Sequence, residues 1–286
     1  MPELPEVHAL AAGLSVRMSG HRIDRCRLAS FSALKTVEPA LDELVGRTVA
    51  GVERRGKLVC VDTGSLWLVA RLARGGWIRW YDRLPTTAVR PGRGPIALRV
   101  GTDDGGGFDV TEMGTEKRLA LWVARGLDQV RPLVGLGVDP LGTDFTAERL
   151  GELLAATRAT VKTALTDQSV IAGIGNAYSD EALHRARLSP YKVAGTLTAP
   201  EVARLHRAVV EVLTEAVDRG SSVDMSDLKG DKKRWMAVHG RTGEPCPVCG
   251  DTVRQVSFAT RSQQYCPTCQ TGGRVLADRR MSRLLR

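Results

Sequence analysis

The chain has 286 residues, 43% of them hydrophobic and 26% charged, which is enough to bury a sizeable core and argues against wholesale disorder. No apolar run approaches the roughly 20 residues of a membrane span; Leu66 to Ala70 is typical of the longest. The opening Met1-Pro2-Glu3-Leu4-Pro5-Glu6 carries acids where a secretory signal carries Lys or Arg, so a cytoplasmic, non-secreted protein is expected.

The first predicted element is a helix, because Val7, Leu10, Leu14 and Met18 recur at helical spacing. From about residue 20 to 125, short apolar runs alternate with turn signals. The runs include Arg47 to Val52, Lys57 to Asp62, Leu66 to Ala70 and Ile96 to Val100, with punctuation such as Pro91-Gly92-Arg93-Gly94-Pro95 and Asp103-Asp104-Gly105-Gly106-Gly107. Short strands at this spacing predict an antiparallel sandwich or barrel. From about 145 to 220 the pattern becomes helical. Leu150, Leu153 and Leu154 start one helix, and Val202, Leu205, Val209 and Leu213 form another, with Pro200-Glu201 at its start. Between them Gly173-Ile174-Gly175-Asn176 interrupts the pattern, which restarts at Ala177. Such a sequence reads either as a plain helix-to-helix turn or as a cradle whose exposed N–H groups bind an anion. Neither internal repeats nor low-complexity segments are present.

The last region carries Cys246, Cys249, Cys266 and Cys269 in the pattern C-x2-C-x16-C-x2-C. Two residues between thiolates let a tight turn aim both sulfurs at one ion, and two such turns close a tetrahedral structural site for one Zn2+. Two disulfides would require an oxidising compartment, and a redox dithiol would not come as a matched pair. Cys26 and Cys60 stand alone and read as buried small hydrophobes.

Charge is unevenly placed. The chain carries 41 Lys/Arg against 32 Asp/Glu, a net +9, and from Ser226 onward 12 Lys/Arg face 5 Asp/Glu, so about +7 of the excess lies in the last 61 residues. That is the footprint of a polyanion partner or a solubilising face. The N-terminus adds chemistry: with Pro at position 2 the initiator Met is normally removed, leaving a secondary amine. An α-amino group titrates near 7.7–8.0, so a useful fraction is a free nucleophile able to attack a sugar C1′ and form an iminium. Glu3 beside it could shuttle protons.

Four motifs in order, Pro2-Glu3-Leu4-Pro5-Glu6-Val7, Arg54-Arg55-Gly56-Lys57, Asp167-Gln168 through Glu181, and Gly240-Arg241-Thr242-Gly243-Glu244-Pro245-Cys246, resemble the Fpg branch of the Fpg/Nei family of DNA glycosylase/AP lyases. The resemblance implies an α+β multidomain fold: an N-terminal helix plus antiparallel β-sandwich catalytic domain over 1–130, a helix–two-turns–helix DNA-binding domain over 131–225, and a four-cysteine zinc-ribbon β-hairpin finger with a basic tail over 226–286. It implies a monomer acting at the nucleoid on double-stranded DNA that contains damaged bases or abasic sites, with the DNA in a basic cleft between the two halves. By motif, Pro2 is the imine-forming nucleophile, Glu3 the acid/base residue, and Lys57 the lysine that assists β-elimination. Asn176 and the glycines Gly173 and Gly175 face backbone phosphate, and Arg261 is the finger arginine that grips the flanking phosphates and assists δ-elimination. The expected substrates are oxidised bases, purines first. An AP lyase or glycosylase of altered specificity, for example toward oxidised pyrimidines, and a non-catalytic binder of damaged DNA are the alternatives.

Departures from the family pattern bear on specificity. A Met expected to fill the void left by the everted nucleotide is replaced by Arg74 in Arg71-Leu72-Ala73-Arg74-Gly75-Gly76, and the Arg-Phe pair of a second loop by Arg118-Leu119. The tip is Thr260-Arg261-Ser262-Gln263, the segment Ser226 to Lys233 is short for a loop covering an oxidised purine, and a basic tail runs from Arg274 to Arg286.

Overall fold

The computed structural model describes residues 1–92, 94–225, 228–257 and 262–277. Arg261 and the tail beyond Ala277 therefore lie outside the described residues. The chain divides into two compact units, 1–135 with 217–228, and 136–216 with 229–286.

In the first unit, helix α1 (Leu4–Met18) is followed by eight strands: β1 (Ile23–Leu28), β2 (Gly51–Arg55), β3 (Leu58–Asp62), β4 (Trp67–Arg71), β5 (Gly76–Tyr81), β6 (Ile96–Thr102), β7 (Gly107–Glu112) and β8 (Ala120–Ala124). They form two four-stranded antiparallel sheets, ordered β1-β6-β7-β5 and β2-β3-β4-β8. Alternation along the strands builds the sandwich. Val59 and Val61 of β3 join Leu98, Val100, Phe108 and Val110 of the other sheet in one core, while Leu58 and Cys60 point to a second cluster with Val69, Trp122 and Val130. The four helical positions read from the sequence, Val7, Leu10, Leu14 and Met18, are all fully buried in the first of these cores.

One predicted strand starts late. Residues 47–50 lie outside the sheet; the chain turns at Gly46, whose φ is 84°, and Val49 exchanges backbone bonds with Gly20 and His21 before β2 begins. Val49 plugs the core edge instead of pairing in the ladder. Cys26 and Cys60 are buried, and burial pushes both thiols up to about 12, in keeping with inert packing residues.

The second unit contains α2 (Ala147–Ala155), α3 (Val161–Thr166), α4 (Asn176–Arg185) and most of α5 (Ala199–Ser221). It continues through α6 (Leu228–Trp235), the hairpin β9 (Arg254–Ser257) and β10 (Ser262–Tyr265), and the short α7 (Pro267–Thr271). Thr146 and Thr160 cap α2 and α3 by accepting from the N–H of Arg149 and Thr163. The buried face of α5 contains Leu205, Val209 and Leu213, as the periodicity predicts. Among the described residues, no helix is long and apolar enough to cross a membrane.

Candidate functional site

In the first unit the candidate residues cluster at the start of the chain and at hairpin turns. Pro2 and Glu3 are buried immediately ahead of α1, and the Glu3 N–H donates to the Glu6 carboxylate at 2.8 Å, closing the helix start. The helix packs on β2, where the Val52 N–H reaches Ser15 Oγ at 3.3 Å. Arg55 and Leu58 face each other across β2 and β3, so Gly56-Lys57 is a two-residue hairpin loop, with Gly56 at φ 55°. Lys57 therefore stands on a turn, not within a strand. Only 9% of it is exposed, a low value for a lysine at a hairpin tip.

Arg74 and Arg118, 44 positions apart in sequence, flank the end of one strand pair. Gly76 opens β5 directly opposite Glu112, the last residue of β7, and the Met113 N–H extends the ladder to the Gly75 carbonyl at 2.9 Å. The buried Glu112 carboxylate accepts the N–H of Arg118 at 2.7 Å and of Leu119 at 2.8 Å, folding the loop back. Arg74 and Arg118 are exposed, whereas Leu119 is 3% exposed and belongs to the core. Of the pair Arg118-Leu119, only the arginine can meet a ligand.

In the second unit Gln168 stitches the turn between α3 and α4. Its Oε1 accepts the Gly173 N–H at 2.9 Å, and its Nε2 donates to the carbonyls of Thr166 and Ile174, both at 2.9 Å. Gly173 has φ 97°, which only glycine adopts easily, and Gly175 is the N-cap of α4. Both glycines are buried, and the Gly173 N–H points inward to Gln168. Asn176, half-buried, donates through Nδ2 to the Ser262 carbonyl at 2.8 Å, tying the turn to β10. The amide nitrogen carries a second N–H.

The network behind Asn176 was not legible in the sequence. Lys162 and Asp180 are both fully buried and paired, and Lys162 Nζ also donates to the Asn176 carbonyl at 3.2 Å. The other Asp180 oxygen meets His239 Nδ1 at 2.8 Å. Next to it, the Glu181 carboxylate accepts three successive backbone N–H groups, from Ala237, Val238 and His239, at 2.7 to 3.0 Å. Burial pushes the Glu181 carboxyl up, and the three donors hold it back. The helix α4 thereby anchors the segment that leads into the cysteine knuckles.

The four cysteine sulfurs lie within 4.8 Å of one another, with Cys249–Cys266 at 3.4 Å and Cys246–Cys269 at 3.9 Å. Tetrahedral zinc with bonds of about 2.3 Å would separate them by about 3.8 Å, so the donors fit a closed structural Zn2+ site. Asp251 links the knuckles by accepting both the N–H and the hydroxyl of Thr268, at 3.1 and 2.8 Å. His184 Nε2 lies 3.3 Å from Cys246 Sγ, and Gln270 bridges the Cys266 N–H to the Leu188 carbonyl, both bonds at 2.9 Å. These are the outer contacts that orient a ligand set.

Comparison with known proteins agrees with this geometry over nearly the whole chain. Residues 1–112 match the formamidopyrimidine-DNA glycosylase N-terminal domain, 136–227 its H2TH domain, and 243–272 the zinc finger found in FPG and IleRS. A formamidopyrimidine-DNA glycosylase of Symbiobacterium thermophilum is 36% identical, covering 94% of this chain and 89% of its own. A formamidopyrimidine-DNA glycosylase-like protein of Mycobacterium tuberculosis is 57% identical over 151 residues, 53% of this chain and 94% of that one. The Lactococcus lactis enzyme non-covalently bound to DNA containing an AP site superposes with a TM-score of 0.81 at 27% identity, covering 94% of this chain and 99% of that one.

Proposed function

Because the chain belongs to the formamidopyrimidine-DNA glycosylase family, the DNA glycosylase/AP lyases of base-excision repair, we propose that Pro2 is its nucleophile and Glu3 its proton carrier, acting on oxidised bases, purines first, in duplex DNA. The observation that carries this reading is the position of Pro2 and Glu3, buried at the head of α1 in the same compact unit as the largely buried hairpin lysine Lys57.

The chemistry follows from those groups. A glycosidic bond inside a duplex is out of reach, so the nucleotide is extruded at a cost of a few kcal/mol in lost stacking. The secondary amine of Pro2 attacks C1′, the C1′–base bond breaks, and the base departs with its bonding pair and a proton. Glu3 moves protons between the sugar oxygen and the departing groups. Glu3 gives a proton to O4′ as the C1′–O4′ bond breaks, which opens the ring and leaves an iminium between the Pro2 nitrogen and C1′ that acidifies the C2′ hydrogen. Loss of that proton expels the 3′ phosphate, with Lys57 assisting, and a second elimination expels the 5′ phosphate, the step assigned to Arg261. Zinc takes no part in these steps; it holds the finger.

DNA contact is assigned to Arg74, Arg118 and Asn176 at backbone phosphates, with Gly173 and Gly175 shaping the turn that presents Asn176. The active species is a monomer working on double-stranded DNA at the nucleoid, with damaged bases or abasic sites as its targets.

The test is borohydride reduction during reaction with a duplex containing an abasic site. The expected result is a covalent protein–DNA adduct whose mass spectrum places the DNA on the N-terminal peptide beginning at Pro2. No adduct, or an adduct on an internal lysine, overturns the assignment. The same reaction with a panel of single-lesion duplexes, scored separately for base release and strand scission, ranks oxidised purines against oxidised pyrimidines.

A further inference from the structure

We propose that Met113, and not the residue at position 74, is the side chain that this protein pushes between base steps, with Arg74 gripping phosphate beside it. The proposal rests on the DNA-glycosylase reading and adds the specific residue that opens the duplex.

The loop of residues 113–118 leaves the sheet at the end of β7, where Met113 extends the ladder to Gly75. The two chains run so close that a Cβ on Gly75 would sit 1.9 Å from the Met113 carbonyl oxygen, so glycine is required there and the Arg74 turn is held against the Met113 loop. The loop is also fastened at its far end. The Glu112 carboxylate takes the N–H of Arg118 and Leu119, Lys117 Nζ reaches the Glu112 carbonyl at 2.5 Å, and Leu119 is buried in the core.

On this fastened loop Met113 is the one large apolar side chain, and it is 60% exposed. A single exposed hydrophobe is ordinary on a protein surface. Here, however, three exposed cations share its two adjoining loops, Arg74 beside the Gly75 that Met113 pairs with, and Lys117 and Arg118 on its own loop. The acid of this loop, Glu116, meets Arg118 at 3.1 Å with both side chains more than three-quarters exposed, so the pairing gives little and yields readily to a phosphate. An apolar tip on loops that also carry cations is the chemistry of a wedge that unstacks a base step while its neighbours hold the backbone. The unbranched, polarisable thioether suits that role, since it slides between flat rings without a fixed shape. A bare patch for a protein partner would call for more apolar area and fewer like charges.

The experiment uses a duplex with a non-cleavable tetrahydrofuran abasic site and 2-aminopurine as its neighbour in the stack. Binding of the wild-type protein changes the 2-aminopurine fluorescence; Met113→Ala binds the duplex but loses the change, and Met113→Leu keeps it. In single-turnover assays Met113→Ala slows base release from an intact lesion about tenfold and scission of a preformed abasic site no more than about twofold, because only the first requires opening a stacked pair. Arg74→Ala instead weakens binding and flattens its salt dependence while preserving the fluorescence change. An unaltered fluorescence change in Met113→Ala, equal slowing of both reactions, or no change with a wild-type protein that binds and nicks would each overturn the proposal and leave the glycosylase reading standing. A wild-type protein that neither binds nor nicks damaged duplexes overturns both.

Discussion

Each compact unit buries an ion pair, and the two pairs differ in what they connect. In the sandwich, Arg99 and Asp109 face each other across β6 and β7 and close a bidentate pair, Nε to Oδ1 at 2.7 Å and Nη2 to Oδ2 at 2.8 Å. The remaining Nη1 satisfies the carbonyls of Pro85 and Thr87 at 2.8 and 2.9 Å. That pair, with Tyr81 beside Asp109, stays within the sandwich: it pins one loop to one sheet in a unit with an apolar core between its sheets. In the helical unit, Lys162 and Asp180 pass their interaction outward, to the Asn176 carbonyl on one side and to the partly exposed His239 on the other. Among the described residues, the apolar cluster at the cysteine knuckles is small, Val238 and Val253 with the buried Cys246 and Cys266 and the partly buried Cys269, so the polar links from α4 and the metal add to what that cluster holds. The contrast teaches that burial of charge rigidifies a sheet locally but, in the helical unit, links the turn at Asn176 to the segment that leads into the finger.

The largest expected effect is zinc removal. Structural zinc contributes on the order of 10–16 kcal/mol to folding of small fingers. Chelation under mildly destabilising conditions should therefore abolish the calorimetric transition of the second unit and damaged-DNA binding with it, while the transition of the sandwich persists. Simultaneous loss of both transitions would mean that the units do not differ as described. Next in size is Asp180→Ala, which strands a buried lysine charge and is expected to cost about 3–5 kcal/mol. It should also make the zinc easier to strip, which Asp109→Ala in the sandwich should not. The double change Lys162→Met with Asp180→Leu should recover most of the stability, as measured by denaturant unfolding, but not the DNA affinity, because the apolar pair cannot hold the Asn176 carbonyl.

The smallest effect concerns the exposed rim of the sandwich. The Asp104 carboxyl is held below the usual carboxylate range, first by the Thr102 hydroxyl, then by the Gly106 N–H and His21, against a partial burial that raises it. A lowered folded value means stability that is present above the unfolded pKa of about 3.9 and is lost as pH falls through the folded value. Asp104→Asn should therefore flatten the acid limb of the first unit's melting profile between about pH 2 and 5 and leave it unchanged near neutrality. A second unit equally affected by this change would remove the distinction between the two regions.

How much could be read before the structure depended on whether the signal was local. The zinc knuckles were legible because two residues between cysteines fix a turn by covalent geometry. Helix α1 was legible because Val7, Leu10, Leu14 and Met18 mark one face at helical spacing. The run at 47–52 misled, since a short apolar run says that residues pack and not that they pair; Val49 packs without joining the ladder. Lys162 sits in a pattern where a lysine normally marks the solvent face, and nothing nearby announces the carboxylate 18 positions later that lets it be buried. For the candidate site, the roles of Pro2, Glu3 and Lys57 came from motif resemblance, and spacing alone could not have supplied them.

By itself the sequence determined the class of chemistry available: a proline next to the first residue, four thiols set for one tetrahedral ion, an alternating half followed by a helical half, and an excess of positive charge. These depend on residue identity and on neighbours a few positions apart, where covalent geometry and periodicity leave few choices. Only the tertiary structure decided that Gly75 and Met113 touch, that Leu119 is withdrawn into the core while Arg118 stays outside, and that Asp180 joins Lys162 to His239. Such juxtapositions are made by strand pairing and helix packing between distant segments, and a contact of that kind has no local signature until the apolar surfaces on either side have found each other.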